Sequence, residues 1–454
     1  MSTDKDTQKL LSLLVNRLDE LEKQRKDQEK FWQEVTDLKK NLESLVSQNS
    51  QSRTIIDEKA AWWFRIVEEI LDPKNNVVFE GCKSDIAIAY LTDPRLYGDN
   101  HNVIFSCDIN SKPCPVNHKN AIKIIPANDR ISRAKTMYEA TIHHVIQENI
   151  IRTRLSPCIV LFKDVFGCNL NIVNQQLVKS GTDGTLAAIN ISNYYGSSER
   201  LLFLVTEQVD GDFKAIVNTV NLLAQKQRFR ELVGYTPGYL QTGLVQPVIT
   251  SVVFQTLVTL MALQNVFPEF RHNDLHCGNV FLANIVDQTV GLPGSEYLRF
   301  IINTGTDKVI YDVPHCGLIA KIADFGLSNL STTHPSPIDF KSYDIAYGLT
   351  KKFNHYYDYY VFLAHCIHSF SWVGPELDLF NKFVAETIPV PNGTFGWWLT
   401  GGTSIRIPTS YQLEGHDKQW PQIVNILKSP LFEGYVSDGS RYILENLVFT
   451  INLQ

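Results

Sequence analysis

The side chains best suited to chemistry are few and far apart along the chain. Asp274 and Asn279 stand five apart in Arg271 to Leu282, RHNDLHCGNVFL. A carboxylate can take a proton from a hydroxyl nucleophile, and a carboxamide oxygen suits a hard divalent cation. Asp324 follows in the stretch KIADFG, residues 321 to 326. Upstream, Lys123 interrupts the apolar run Ala121 to Ile125, and Glu139 comes sixteen positions later in a helical pattern. Two acid-bearing loops, each joined to an apolar strand, fit a site for metal and phosphate.

These residues need rigid carriers. The apolar run Val248 to Phe267 reads as a helix opened by Pro247 that delivers the Asp274 loop, with Phe254, Leu257, Leu260 and Met261 on its core face. Val280 to Ile285 reads as a strand leaving that loop. Ile131 to Arg152 forms the helix of Glu139, with Ile142, Val145 and Ile146 on its apolar side. Ile159 to Phe166 and Leu201 to Val209 read as strands, whereas the polar, glycine-containing stretch Asn169 to Arg200 reads as loop. Tyr297 to Ile302 and Lys308 to Asp312 form a hairpin, and helices are expected within Tyr356 to Leu363, Glu376 to Val384 and Gln422 to Leu427.

Taken in order, Lys123, Glu139, HxDxxxxN and DFG resemble the protein-kinase-like superfamily over residues 77 to 450. The long separation of Asp274 from Asp324, with HNDLHCGN and TEQVDGDF, looks like the divergent serine/threonine kinases of large DNA viruses. The resemblance implies an α+β, bilobal protein-kinase-like fold with a small β-rich N-lobe at 77–209 and a larger helical C-lobe at 210–454. It also implies ATP and magnesium. Asp274 would deprotonate or orient the acceptor hydroxyl, and Asn279 and Asp324 would carry the metal. Lys123, held by Glu139, would touch the α and β phosphates. Glu207 and Val209 would lie beside the base, and Asp358 would brace the catalytic loop, with Asp344 as the alternative. Gly81 and Ser84 would form a poor substitute for the glycine-rich loop, weakening phosphate contact. The implied activity is a serine/threonine protein kinase acting on protein hydroxyls. A small-molecule kinase of the choline and aminoglycoside type, and a pseudokinase scaffold, are the alternatives.

Three departures bear on activity. Asn273 stands where an arginine often precedes the catalytic aspartate, so activity is expected not to depend on phosphorylation at Ser328, Ser331, Thr332 or Thr333. His276 stands where many serine/threonine kinases use lysine. Were it a cation at the γ-phosphate, turnover would fall as pH rises through its pKa. No APE triplet follows DFG, so the peptide shelf has no clear position.

Residues 1–50 differ from the rest. Leu11, Leu14, Leu18 and Leu21, then Phe31, Val35, Leu38, Leu42 and Leu45, follow heptad spacing among charges. A coiled coil making a homo-oligomer through residues 10–46 is expected, against a single amphipathic helix packed on the kinase-like part. A linker helix at 51–76 would follow.

Composition fits a folded enzyme. The 454 residues are 44% hydrophobic, enough for large cores, and the net charge of −6 gives no global attraction to nucleic acid. Eight scattered cysteines without a CxxC pair read as reduced, buried residues rather than a disulfide framework, and His143, His144, His365 and His368 as ordinary histidines rather than metal ligands. No apolar run reaches the length of a membrane span, so no membrane is expected and the location is taken as intracellular and cytoplasmic.

Overall fold

In the computed structural model, the described residues are 95–97, 103–108, 119–179, 185, 188–189, 191–193, 199–209, 211–214, 245–284, 297–330, 355–370, 378–387, 421–443 and 447–453. The chain divides into two units, Met1–Glu69 and Ile70–Gln454, and every described residue belongs to the second. The expected coiled coil and linker helix, Gly81, Ser84, Asp344, Ser331, Thr332 and Thr333 lie outside the described residues. What is described is a mixed α+β structure with small, mostly antiparallel sheets.

The first sheet has five strands: β1 (Arg95–Tyr97), β2 (Val103–Asp108), β3 (Lys119–Pro126), β4 (Phe162–Asn169) and β5 (Arg200–Glu207). Their order is β1-β2-β3-β5-β4, with antiparallel neighbours throughout. Because successive side chains on a strand face opposite ways, Ile122 and Ile124 of β3 join Leu201, Phe203 and Val205 of β5 in one core, while Lys123 takes the other face. That other face carries α1 (Arg130–Ile146), which continues into a π-turn at Gln147–Ile151. Asp129 caps α1 by accepting a hydrogen bond from the Ser132 amide at 2.8 Å, a contact that typically contributes about 1 kcal/mol.

The first part of the stretch expected to be loop after β4 is instead helical. Leu170–Lys179 forms helix α2, and Leu170, Val173 and Leu177 pack with Ala188 and Ile191 onto the sheet. Those three recur at spacings of three and four on one helix face, a periodicity that the polar composition obscures. Strand β4 also begins later than expected, at Phe162, and Ile159 forms a parallel bridge to Ile322.

The rest is built around α3 (Val245–Val266). It is long and apolar enough to span a bilayer by length and composition, contrary to the sequence expectation, yet it is buried within the protein. Its polar groups show why it belongs there. Thr256 and Thr259 bond back to the carbonyls of Val252 and Gln255 at 2.8 and 2.6 Å, and Ser251 donates to the Pro314 carbonyl at 2.6 Å. The Gln255 oxygen accepts the Ala320 amide at 2.9 Å. Thr256 and Thr259 are thus satisfied within the helix, while Ser251 and Gln255 fix neighbouring elements.

One such neighbour is the sheet β10-β7-β6, made of β6 (Gly211–Asp212), β7 (Val280–Asn284) and β10 (Leu318–Ile322). The other is β11-β8-β9. In it the hairpin β8 (Tyr297–Asn303) and β9 (Lys308–Pro314) is joined by β11 (Val448–Asn452), which runs parallel to β8. Leu298, Phe300 and Ile302 alternate inward, and Phe300 meets Phe254 of α3 and Phe449 of β11. Arg299 binds Asp312 through two nitrogens at 2.7 and 2.9 Å across the hairpin. Helices α4 (Tyr357–Phe370), α5 (Asp378–Thr387) and α6 (Ile423–Ile426) complete the described elements.

Cysteine usage departs from expectation at one position, since Cys168 in β4 is disulfide-bonded. Cys158, Cys277 and Cys366 are free and buried, and Cys316 is free and half-buried.

Candidate active site

The antiparallel pairing of β7 with β10 does the first work of assembly. Val280 lies opposite Ile322, so the residues just before β7 and just after β10 come together, and the Ala323 amide donates to the Asn279 carbonyl at 3.0 Å. The loop carrying Asp274 and the turn carrying Asp324 are thereby neighbours despite their separation in sequence.

Further bonds stitch these two segments. Arg271 and Asn329 exchange backbone hydrogen bonds of 2.9 and 2.8 Å. The Asn273 side chain donates to the Leu327 carbonyl at 2.9 Å, and Ser328 donates to the His272 carbonyl at 3.1 Å. Asn273 thus occupies with a carboxamide bridge the position where a phosphate-binding cation was absent. Ser328 is fully buried, so its hydroxyl is structural. A ring nitrogen of His272 meets the Ala323 carbonyl at 3.0 Å.

The loop is anchored from α4. Asp358, buried, accepts the backbone amides of His272 and Asn273 at 2.7 and 2.9 Å. Burial pushes its carboxyl up, and the Arg271 charge pulls the other way. Arg271 is itself enclosed, with its guanidinium 4.0 Å over the Tyr357 ring. Both Asn273 and Asp324 adopt left-handed backbone, φ 66° and 61°, a conformation that side-chain-bearing residues keep only when their surroundings hold them there.

Within this frame Asn279 donates to the carbonyl and to a carboxylate oxygen of Asp274 at 2.8 and 3.2 Å. Its amide nitrogen is so directed that the carboxamide oxygen serves other partners. Burial and the nearby Asp324 charge push the Asp274 carboxyl up to about 7. A base of that pKa is poised to exchange a proton near neutrality.

The Lys123 amine reaches both oxygens of Glu139 at 3.0 and 3.1 Å and an oxygen of Asp324 at 3.3 Å. Burial opposes its charge, but the two carboxylates more than offset that and hold its pKa above the ordinary lysine value. The lysine charge holds Asp324 below the usual carboxylate range, while burial raises Glu139. Gly326 lies close beneath these carboxylates. A Cβ there would stand 3.3 Å from a Glu139 oxygen and 3.4 Å from an Asp324 oxygen, a tight fit against the pair.

Phe325 fixes the turn from below. It is fully buried, with its ring 4.8 Å from that of His143 on α1 and 5.1 Å from that of His272. His143 was not singled out by sequence reading as part of the site. Burial lowers its pKa to about 3, so it packs as a neutral ring.

His276 is held as a neutral ring here. Its Nδ1 accepts the Gly278 amide at 3.0 Å, which requires that nitrogen to be unprotonated, and burial lowers the pKa to about 4. Gly278 is required for this cap, since a Cβ would lie 2.9 Å from the ring. The Nε2 edge is 3.8 Å from Asp274, beyond direct hydrogen bonding.

Glu207 is tied in through both side chain and backbone. Its side chain accepts the Leu161 amide at 2.9 Å and pairs with Lys321 at 2.9 Å, and its own amide donates to the Leu161 carbonyl at 2.8 Å. Those groups tie β5 to the segment before β4. Val209 follows, half-buried, beyond the end of the strand.

Among the described residues no group of three or more His, Cys, Asp or Glu is placed to hold a metal ion. Asn279 and Asp324 are two oxygen donors on adjoining segments. Such a pair suits magnesium, which keeps waters and is completed by substrate phosphates. The side chain of Asp324 is 43% exposed, so it remains approachable beside its lysine.

Comparison with known proteins adds a partial likeness. No family model matches the chain. Two proteins of Acanthamoeba polyphaga mimivirus, assigned by name alone as serine/threonine-protein kinases, are similar to stretches of it. One is 29% identical over 155 residues, 31% of this chain and 36% of its own length. The other is 26% identical over 113 residues, 25% of this chain and 23% of its own. The chain therefore spans about a third and about a quarter of the relatives it matches.

Proposed function

We propose that this chain is an ATP- and magnesium-dependent phosphotransferase of the protein-kinase-like fold, transferring phosphate to serine or threonine hydroxyls of protein substrates. The observation that carries the reading is the convergence of Lys123, Glu139 and Asp324 next to a loop that holds Asp274 and Asn279 in fixed relation. The five-stranded sheet with α1 corresponds to the smaller lobe, and the elements around α3 to the larger.

In this reading Lys123 neutralises nucleotide phosphate charge, and Glu139 keeps the amine in place. Asn279 and Asp324 would hold magnesium, whose role when bound is to neutralise charge on the phosphates. Asp274 accepts the proton of the attacking hydroxyl, and its raised pKa allows it to retain that proton near neutral pH. Asp358 acts through the backbone, setting the direction of the loop.

The neutral His276 favours a second reading. Without a lysine at that position, the acceptor could be a small alcohol rather than a protein side chain. Radiolabelled ATP with magnesium, offered to a protein mixture and to a panel of small alcohols, separates the readings. Label on protein serine or threonine supports the first, and label on an alcohol the second. Asp274→Asn should reduce either transfer by about a hundred- to ten-thousandfold, the usual worth of a positioned base. Nucleotide binding without any transfer by the wild type would overturn both.

A further inference from the structure

We infer that Lys214 selects the acceptor, favouring a serine or threonine flanked by acidic side chains, an inference that rests on the phosphotransferase reading above. Lys214 stands just past β6, is exposed, and among the described residues forms no ion pair.

Three observations place it beside the Asp274 loop. Strand pairing is the first. Asp212 of β6 lies opposite Phe281 of antiparallel β7, so the chain leaving β6 heads toward the turn Cys277–Asn279 that precedes β7. Helix α4 supplies the second. Phe213 is buried with its ring 6.4 Å from that of Phe362, and the ring of His276 is 5.3 Å from that of His365. Phe362 and His365 are three apart on α4, hence on one face, so residues 213 and 276 stand over neighbouring positions of the same helix. The third is electrostatic. The Lys214 charge reaches His276, and among the groups whose charges act on that ring it is the one lysine or arginine.

The surrounding charges give that lysine its use. The carboxylates of Asp274 and Asp324 already oppose each other. An acceptor that brings a further carboxylate is repelled unless a cation faces it. Lys123 is engaged by Glu139 and Asp324, and His276 is neutral, so neither answers that charge. Lys214 does. A lysine is a compact point charge on a flexible four-carbon stem, so it reads the sign of a flanking group rather than its shape. Because the contact is exposed to water, it sets a preference among acceptors and leaves transfer to a neutral one intact.

The test uses the full chain, ATP with magnesium, and serine peptides that differ only in whether the flanking residues are acidic, neutral or basic. For the wild type, kcat/KM should be about five- to tenfold higher for the acidic than for the basic peptide, with the difference in KM. Lys214→Met should bring that ratio close to one, and Lys214→Glu should reverse it. Both variants should keep kcat/KM for the neutral peptide, and KM for ATP, within about twofold of the wild type. Raising the salt from about 0.05 to 0.5 M should erode the wild-type preference. Equal use of the peptides by the wild type, or an unchanged preference in both variants, overturns the inference, while transfer to the neutral peptide still upholds the phosphotransferase reading. A raised KM for ATP in Lys214→Met with the acceptor preference intact assigns the lysine to the nucleotide and overturns the inference as well. Absence of transfer to every peptide overturns the protein-acceptor reading and the inference with it.

Discussion

The two halves of the candidate active site are held by different means. The loop from Arg271 to Asn279 is fixed by buried hydrogen bonds to Asp358, Asn329, Leu327 and Ala323. The Lys123, Glu139 and Asp324 side chains are held to one another by ion pairs, at a place where Lys123 and Asp324 retain contact with solvent. Buried backbone bonds specify one geometry, whereas ionic contacts between side chains can be exchanged for those of a ligand. The difference teaches where adaptation is built in: the Asp274 loop is preset, and the Lys123 side is free to rearrange.

The sharpest way to break this contrast is at Asp358. Asp358→Ala leaves two buried amides without an acceptor and should lower stability by about 2–5 kcal/mol, seen as a reduced urea midpoint. Asp358→Asn should do less, because it keeps one acceptor. A neutral result for alanine would mean the loop is held elsewhere.

On the ionic side, Lys123→Met should depress kcat/KM by about a hundred- to a thousandfold, the scale of one lost electrostatic donor. Its urea midpoint should shift little. Glu139 is already raised toward its neutral form by burial, and Asp324 can turn to water. A stability loss as large as that of Asp358→Ala would show that the two halves are not distinct.

A smaller effect comes from pH. Asp274 must be deprotonated to act as a base, so kcat/KM should rise with pH and level off above about 7. Asp274→Asn should lose this limb. A wild-type profile flat from pH 5 to 9 would remove Asp274 from proton transfer.

The smallest effect concerns stability and has a definite sign. The folded pKa of Asp274 lies above its ordinary value of 3.8, so the folded state holds its proton more tightly than the unfolded chain. Between about pH 4 and 7 this group therefore makes folding less favourable as pH rises. Asp274→Asn should raise the thermal midpoint at pH 7.5, and the gain should vanish below pH 4. A constant difference across that range would contradict the assignment.

Much of this arrangement could be read from residue types and order, because Lys123 interrupts an apolar run and Asp274, Asn279 and Asp324 stand in short loops joined to apolar strands. Their pairing follows from strand register, which alternation already suggests. His276 was less legible. Its neutral state depends on the amide two residues later, a contact that residue identity does not announce. Helix α2 was missed because asparagine and glutamine outnumber its three apolar anchors. The burial of α3 depended on Gln255 accepting from β10 and Ser251 donating to β9, and composition gives only its length. His143 looked like any helical histidine until Phe325 was placed against it.

The parallel pairing of β11 with β8 has a consequence for synthesis. Asn303 and Asn452 bond across a sequence separation of 149 residues. The hairpin precedes its partner strand, so the β8 edge that β11 fills stays open until residues 448–452 have been translated. Closure of so long a loop is slow, and an unfilled edge invites wrong partners. A nascent chain halted before Val448 should therefore be cut by protease within residues 297–314, and extension through Asn452 should restore protection.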